Sequence, residues 1–143
     1  ASRAPDASVW AVDVNTRALS LTCANAERAG LPNVTCVPPD DPGIPRRLDL
    51  IWSNPPVRVG KNALHKLLAS WLNRLAPGGA AFLVVQRNLG SDSLQRWLVD
   101  SGFATERAAA RSGYRVLHVS GPGSQVLPAA TRGDAGRGAG ATQ

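Results

Sequence analysis

The sequence predicts an α/β fold built on a mostly parallel sheet that ends in an antiparallel hairpin. Short, nearly continuous apolar segments recur along the chain, segments with helical periodicity lie between them, and a polar turn joins the last two apolar segments. Continuous apolar strands separated by helices are typical of a parallel sheet covered on both faces. The 143 residues, 43% of them hydrophobic, fit one such domain. We expect this domain to span residues 1–120, followed by a disordered tail rich in Gly, Pro and Ala over residues 121–143.

The N-terminal third predicts a strand, a helix and a second strand. Ser8–Val14 is a short apolar run with one acidic residue, Asp13, near its end, and Asn15 is a good helix-capping residue directly after it. Gly30 and Pro32 are residues that end helices. The β-branched segment Asn33–Val37 then predicts the second strand.

The central third predicts a third strand, a long amphipathic helix and a fourth strand. Leu48–Ser53 is apolar and continues directly into Asn54-Pro55-Pro56. A helix opens at Asn62, and its apolar residues recur three and four positions apart, as on one helix face: Leu64, Leu67, Leu68, Trp71, Leu72 and Leu75. The pattern stops at Pro77-Gly78-Gly79, after which Ala80–Gln86 predicts the fourth strand.

The C-terminal third predicts a helix and a hairpin. Ser91 is expected to cap a helix that Gly102 ends. Phe103–Ala109 and Tyr114–Ser120 are two strand-like segments joined by the turn sequence of residues 110–113. Two strands separated by so short a polar turn are typical of an antiparallel hairpin.

The positive charge of the chain lies in its C-terminal part. The formal net charge is +6; residues 1–55 carry 5 basic and 6 acidic residues, whereas residues 56–143 carry 11 and 4. Such an excess is expected of a part that faces a polyanion, which predicts contact with nucleic acid. A solvated, arginine-rich surface is the alternative explanation.

Neither a membrane span nor a secretory leader is indicated by the sequence. There is no run of about 18 apolar residues, and the N-terminus lacks a basic segment followed by an apolar one. We therefore expect a cytoplasmic protein. The two cysteines, Cys23 and Cys36, lack a paired spacing and have only two histidines in the chain to help bind a metal, so we interpret them as reduced, buried thiols and expect no metal site.

Acidic residues follow the first two predicted strands. A parallel sheet binds ligands outside the carboxyl ends of its strands. Asp13 ends the first strand, where a carboxylate could accept hydrogen bonds from both hydroxyls of a ribose. Asp40 and Asp41 follow the second strand and could accept from an adenine amino group. The alternatives are a charge at a helix start for Asp13 and turn aspartates among prolines for the pair.

The segment Ser53-Asn54-Pro55-Pro56 directly follows a buried strand. Two successive prolines remove two backbone donors and restrict two φ angles, which holds the chain extended and rigid. The Asn54 carboxamide oxygen and the Pro55 carbonyl can then accept hydrogen bonds from one planar NH2 group. Such an amine needs positioning and stabilisation of developing positive charge more than it needs a strong base. A rigid turn without a catalytic role is the alternative.

Four segments resemble motifs of class I S-adenosylmethionine-dependent methyltransferases: VWAVDVN, DLIWSNPP, LAPGGAAFLVVQ and YRVLHVS. More narrowly, they resemble the methyltransferase small domain group, which includes ribosomal RNA guanine-N2 methyltransferases. The resemblance covers residues 6–120 and implies a Rossmann-like sheet with S-adenosylmethionine as cofactor. It further implies that Asp13 binds the cofactor's ribose, Asp40 its adenine, and Asn54, Pro55 and Pro56 the target amine.

The chain departs from this family in two places. Val57-Arg58 follows the prolines, where the family often has an aromatic residue that stacks on the flipped base. The family also begins with a strand and a glycine-rich loop for the methionine part of the cofactor, whereas ASRAPDA resembles the end of the helix that follows them. The resemblance thus implies that the first, central strand is missing from these 143 residues, so we expect this chain alone to be poorly stable and to bind S-adenosylmethionine weakly or not at all.

Three functions fit these observations. The first is methylation of an exocyclic amino group, guanine N2 in ribosomal RNA, with RNA as the partner. The second is the same chemistry on a protein glutamine, whose amide suits the Asn-Pro-Pro segment equally well. The third is a non-catalytic fragment that binds RNA through its arginines without a cofactor.

Overall fold

The computed structural model describes residues 3–123, which form two compact units. The first unit ends at Arg46 and the second begins at Arg47. Of the predicted tail, residues 124–143 lie outside the described residues. Gly121 still belongs to the second unit, since it is buried and its N–H donates to the Gly79 carbonyl at 2.7 Å. Within residues 3–123, the helices are all too short or too polar to cross a membrane.

The first unit contains strand β1 (Val9–Val12), helix α1 (Thr16–Arg28) and strand β2 (Val34–Val37). The two strands are parallel, with Val12 opposite Val37. Asn15 caps α1 as predicted, because its side chain accepts from the backbone N–H groups of residues 17 and 18 at 3.0 and 3.3 Å.

The first unit buries little apolar surface among its described residues. Its strands are half-buried and no residue of α1 is buried. Ile44, which is 6% exposed, is its buried apolar residue. Because burial of apolar surface is the main stabilising contribution to folding, this unit is held together weakly.

The second unit is a four-stranded mixed sheet with two helices. Its elements are β3 (Leu48–Ser53), α2 (Lys61–Leu72), β4 (Leu75–Gln86), α3 (Ser91–Asp100), β5 (Thr105–Arg111) and β6 (Tyr114–Ser120). The strand order is β3-β4-β6-β5; β3 and β4 are parallel, and β6 is antiparallel to both of its neighbours. The predicted hairpin is confirmed, and its turn places Ser112 and Gly113 at φ 49° and 80°, the positive values of a type I′ turn.

Strand directions bring three chain segments to one edge of this sheet. β3 and β4 are parallel, so the residues after Ser53 and after Gln86 leave at the same edge. Gln86 is paired with Tyr114, and Tyr114 with Arg111, so the β5–β6 turn lies at this edge too. We call this edge of the second unit the carboxyl-end edge.

The two faces of the sheet are covered differently. Helices α2 and α3 pack on one face and form one apolar cluster with it: Leu64, Leu68, Leu72, Leu75, Ala81, Leu83, Val85, Leu94, Leu98, Leu117 and Val119. The other face carries a row of neighbouring rings: Trp52 is tilted against Phe82 at a centroid distance of 5.6 Å, and Phe82 stacks on His118 at 5.0 Å. Trp52 is 68% exposed, whereas Phe82 and His118 are half-buried.

The predicted end of the long helix is wrong. Helix α2 ends at Leu72, and Leu75, which is 1% exposed, begins strand β4. Leu75 lies opposite Leu48, and the next pair is Leu50 opposite Ala80. Residues 76–79 therefore stand against the single Asp49 and form a bulge in β4. Leu75 continues the helical spacing although it lies in a strand, because its side chain is buried in the same apolar cluster as Leu64, Leu68 and Leu72.

The predicted cap of the next helix is also wrong. Helix α3 is preceded by Gly90 in the left-handed region, and no side chain caps it. Ser91 is instead the first helical residue and is fully buried. Its hydroxyl accepts a hydrogen bond from the guanidinium of the buried Arg115 at 3.2 Å. A serine at this position therefore serves as a hydrogen-bond partner of the buried arginine.

Candidate active site

The Asn-Pro-Pro segment leaves β3 at the carboxyl-end edge of the second unit. Pro55 is buried, whereas Asn54 and Pro56 on either side of it are exposed. The buried ring anchors the segment, and the exposed Asn54 carboxamide can accept a hydrogen bond from an incoming group. The sequence predicted a rigid segment with these acceptors, and the burial of Pro55 is an addition from the structure.

A tight turn anchors the far end of this segment. The Pro55 carbonyl accepts from the Val57 N–H at 2.9 Å, and the Pro56 carbonyl accepts from the Val59 N–H at 3.1 Å. Val57 is half-buried against the apolar cluster. A carbonyl oxygen has two lone pairs, so Pro55 keeps one for a ligand while the other holds the turn.

The predicted cofactor residues lie at one edge of the first unit. Because β1 and β2 are parallel, Asp13 after β1 and Asp40 after β2 lie at the same edge of their sheet. One Asp13 oxygen accepts from the Asn15 N–H at 2.8 Å, which leaves the second oxygen of this exposed residue for a ligand. Asp41 is half-buried and accepts from the Gly43 N–H at 2.8 Å, whereas Asp40 is exposed. The structure therefore favours Asp40 over Asp41 as the ligand-binding acid.

The carboxyl-end edge of the second unit is positively charged. Four exposed cations lie on its three segments: Arg58, Lys61, Arg87 and Arg111. Asp92, the acidic residue at this edge, is already paired with Arg107 and Arg115. The uneven charge along the sequence thus gives a surplus of positive charge at the edge where the Asn-Pro-Pro segment leaves β3.

Gln86 and Tyr114 belong to the same edge, and sequence reasoning missed both. The Gln86 amide donates to the Tyr114 hydroxyl at 3.0 Å, and both residues help to line a cleft of about 630 Å³. Their positions at the end of β4 and the start of β6 were the signal, since ligands bind at such ends.

The sequence model of the family described as Methyltransferase small domain matches residues 1–118. The chain belongs to the methyltransferase small domain family. The fold class and the family predicted from the sequence are therefore confirmed.

One curated protein and two solved methyltransferase structures are similar to this methyltransferase small domain. The protein called Uncharacterized protein YbxB, from Bacillus subtilis (strain 168), is 31% identical over 96 residues, which are 65% of this chain and 48% of that protein. The chain thus spans about half the length of this curated relative. A methyltransferase from Pyrococcus furiosus has a TM-score of 0.67 and 22% identity over 83% of this chain and 66% of its own. SMU.1697c, a putative methyltransferase from Streptococcus mutans solved with SAH, has a TM-score of 0.57 and 16% identity over 78% and 74%.

S-adenosylmethionine is the cofactor that this family indicates. The acids of the first unit fit two of its parts. Asp13 offers one free carboxylate oxygen to ribose hydroxyls, and the exposed Asp40 offers its carboxylate to an adenine amino group. The roles of Asp13, Asp40, Asn54, Pro55 and Pro56 toward cofactor and amine stay predictions.

The cysteines contact one another and are less buried than predicted. Cys23 and Cys36 are both free and half-buried. A hydrogen bond with Cys23, together with desolvation, raises the pKa of the Cys36 thiol to about 11, so Cys36 stays protonated at neutral pH. Among residues 3–123, no cluster of three or more His, Cys, Asp or Glu side chains is placed to hold a metal ion.

Proposed function

We propose that this domain takes part in S-adenosylmethionine-dependent methylation of an exocyclic amino group, guanine N2 in ribosomal RNA. The observation that carries the proposal is the Asn54-Pro55 pair. An exposed carboxamide and a backbone carbonyl with a spare lone pair stand next to each other on an anchored, proline-stiffened segment. Two acceptors side by side match the two N–H donors of one NH2 group.

The residues of the chain supply positioning and charge stabilisation. S-adenosylmethionine, when bound, supplies the electrophilic methyl group. The Asn54 oxygen and the Pro55 carbonyl hold the two N–H bonds of the amine and thereby orient its nitrogen. As positive charge develops on that nitrogen, both oxygen dipoles stabilise it without having to reorganise. The proton that leaves the nitrogen is the one hydrogen-bonded to the Asn54 oxygen, and because Asn54 is exposed, water can accept it.

Asp13 and Asp40 have separate roles in this proposal. Each carboxylate accepts hydrogen bonds from the neutral donors of the nucleoside part, Asp13 from the ribose and Asp40 from the adenine. Such bonds are charge-assisted and therefore stronger than those between neutral groups. These two residues thus determine the affinity for the cofactor, whereas the Asn-Pro-Pro segment determines the rate.

The charge of the carboxyl-end edge supports RNA over a protein substrate. Arg58, Lys61, Arg87 and Arg111 are exposed at the same carboxyl-end edge as the proposed amine-binding segment. Phosphates attract such cations irrespective of base sequence. A neutral glutamine side chain would gain nothing from them unless acidic residues flanked it.

Methyl transfer from labelled S-adenosylmethionine tests this proposal. A version of the protein that includes the first strand and glycine-rich loop of the family, called the full-length protein below, is incubated with unmodified ribosomal RNA. A second sample contains a glutamine-containing peptide instead. We expect label in the RNA, released as N2-methylguanosine after digestion to nucleosides. Label in the peptide alone, or in neither substrate, would contradict the proposal.

A further inference from the structure

The methyl-transfer steps of the proposed function do not involve the cleft at the carboxyl-end edge. Its volume is about 630 Å³. The segments Gln86–Asn88 and Ser112–Arg115 line it, together with Asp92. These segments follow β4 and join β5 to β6, so the cleft lies at the same sheet edge from which Asn54 leaves β3.

Arg87 and Arg111, in and beside this cleft, present their positive charge to solvent. Arg115 is buried, 9% exposed, and pairs with Asp92. Arg107 also pairs with Asp92, at 2.7 Å, so two cations surround this one carboxylate. Arg87 in the cleft and Arg111 beside it are exposed, and the ion pairs of residues 3–123 involve neither of them. Their positive charge is available to a ligand.

The cleft also offers an aromatic ring in a defined position. Tyr114 is 42% exposed, and its hydroxyl is held by the hydrogen bond from Gln86 at 3.0 Å. Exposed aromatic rings beside cations are the features with which proteins bind single-stranded nucleic acid, since bases stack on the ring while phosphates contact the cations. An acidic peptide would use the arginines but would have no base to stack on Tyr114.

We infer that this cleft binds a single strand of RNA, with Arg87 and Arg111 on phosphates and Tyr114 stacked on a base. The inference rests on the proposed function, because it takes the substrate to be RNA, and it adds where the strand next to the methylated nucleotide lies. Tyr114 and the arginines are binding residues here and take no part in the transfer itself.

Equilibrium binding of a short fluorescein-labelled single-stranded RNA to the full-length protein, measured by anisotropy without cofactor, tests this inference. The variants are Arg87→Ala, Arg111→Ala, Tyr114→Ala and Tyr114→Phe. Arg47→Ala is the matched control, because Arg47 is an exposed arginine directly before β3, at the opposite edge of the sheet. Circular dichroism and thermal unfolding of each variant confirm that it is folded.

Arg87→Ala and Arg111→Ala should each change the salt dependence of binding. One lost phosphate contact lowers the slope of log K against log salt by about 0.7, so the ratio of affinities at about 50 and 200 mM salt falls by about threefold. Arg47→Ala should leave the slope unchanged. Tyr114→Ala should weaken binding by about 5- to 100-fold, whereas Tyr114→Phe keeps the ring and should bind like the parent.

Three results would overturn the inference. These are unchanged slopes for both Arg87→Ala and Arg111→Ala, an equal change for Arg47→Ala, or equal competition by polyglutamate of matched total charge. RNA binding does not require methyl transfer, so a failure of the cleft inference can be distinguished from a failure of the proposed function. RNA bound in the cleft but never methylated refutes the proposed function alone, and methylated RNA with unchanged slopes refutes the cleft alone.

Discussion

Asp13 has a local structural contact and a proposed ligand contact on the same carboxylate. One oxygen closes the turn before α1 through the Asn15 N–H, and the other is available to the ribose. Replacing Asp13 with alanine removes both contacts. Asp13→Asn keeps an oxygen for the turn but loses the charge that strengthens the ribose contact.

We expect Asp13→Ala to weaken binding of S-adenosylmethionine to the full-length protein by about 1.5 to 3 kcal/mol, the contribution of hydrogen bonds to a charged group. Transfer at saturating cofactor should change far less. Asp13→Asn should also lose affinity although its turn remains. Calorimetric titration measures this, and equal affinities of parent and both variants would show that Asp13 only supports the helix start.

The chemistry of single residues was predictable where it depends on residue type and sequence position. The restrained segment with Asn54 and the Pro55 carbonyl as acceptors follows from a strand that runs into two prolines, whereas the burial of Pro55 beside an exposed Asn54 comes from the structure. The hydrogen bond from the Val57 N–H to the Pro55 carbonyl did not follow from the sequence, because it depends on how the chain turns after the segment. The contact of Cys23 with Cys36 was equally hidden, since it depends on how α1 packs on β2.

Helix α3 shows how strongly one face of an element determines stability. Leu98 is fully buried in the apolar cluster of the second unit, whereas its neighbour Val99 is 52% exposed. A buried leucine that is cut back to alanine loses its transfer free energy and leaves a cavity. An exposed valine loses little of either.

Leu98→Ala should therefore lower the free energy of unfolding by about 2 to 5 kcal/mol, and Val99→Ala by no more than about 0.5 kcal/mol. Urea unfolding followed by tryptophan fluorescence gives both values, provided that the m-value is unchanged. Equal midpoints for the two variants would contradict the packing of α3 on the sheet.

Elements were predictable where local signals and tertiary contacts agree. Strand β3 has the predicted bounds, and the turn of Ser112 and Gly113 joins the predicted hairpin. The errors lie where a residue serves a distant partner. Leu75 pairs with Leu48 across the sheet, and Ser91 accepts from Arg115 of another strand; neither contact leaves a trace in the local pattern.

On the scale of the whole molecule, the two units differ in how much apolar surface they bury. The second unit contains an apolar cluster of leucines, valines and one alanine, whereas the first has Ile44 as its buried apolar residue among those described. Local opening is easiest where few apolar contacts hold a segment. The composition of the chain gave no warning of this, because apolar residues occur throughout it.

We expect hydrogen exchange of the 143-residue chain to separate the units. The amides of β1, α1 and β2 should exchange well before those of β4 and β6, which lie at the centre of the larger sheet. Mass spectrometry of peptides from one sample compares the two sets under identical conditions. Equal protection of β1 and β4 would contradict the uneven burial.

Single-turnover methyl transfer by the full-length Asn54→Ala variant, at saturating cofactor and RNA, tests the central claim most directly. Losing one of the two acceptors lets the amine rotate, so we predict a rate about 10²- to 10³-fold below the parent, with cofactor affinity within a few fold. Asn54→Asp should lose less, since it still accepts from the amine, and Asn62→Ala, an exposed asparagine of α2, should react like the parent. Transfer by Asn54→Ala at the parent rate would reduce the Asn-Pro-Pro segment to a rigid turn and contradict the claim.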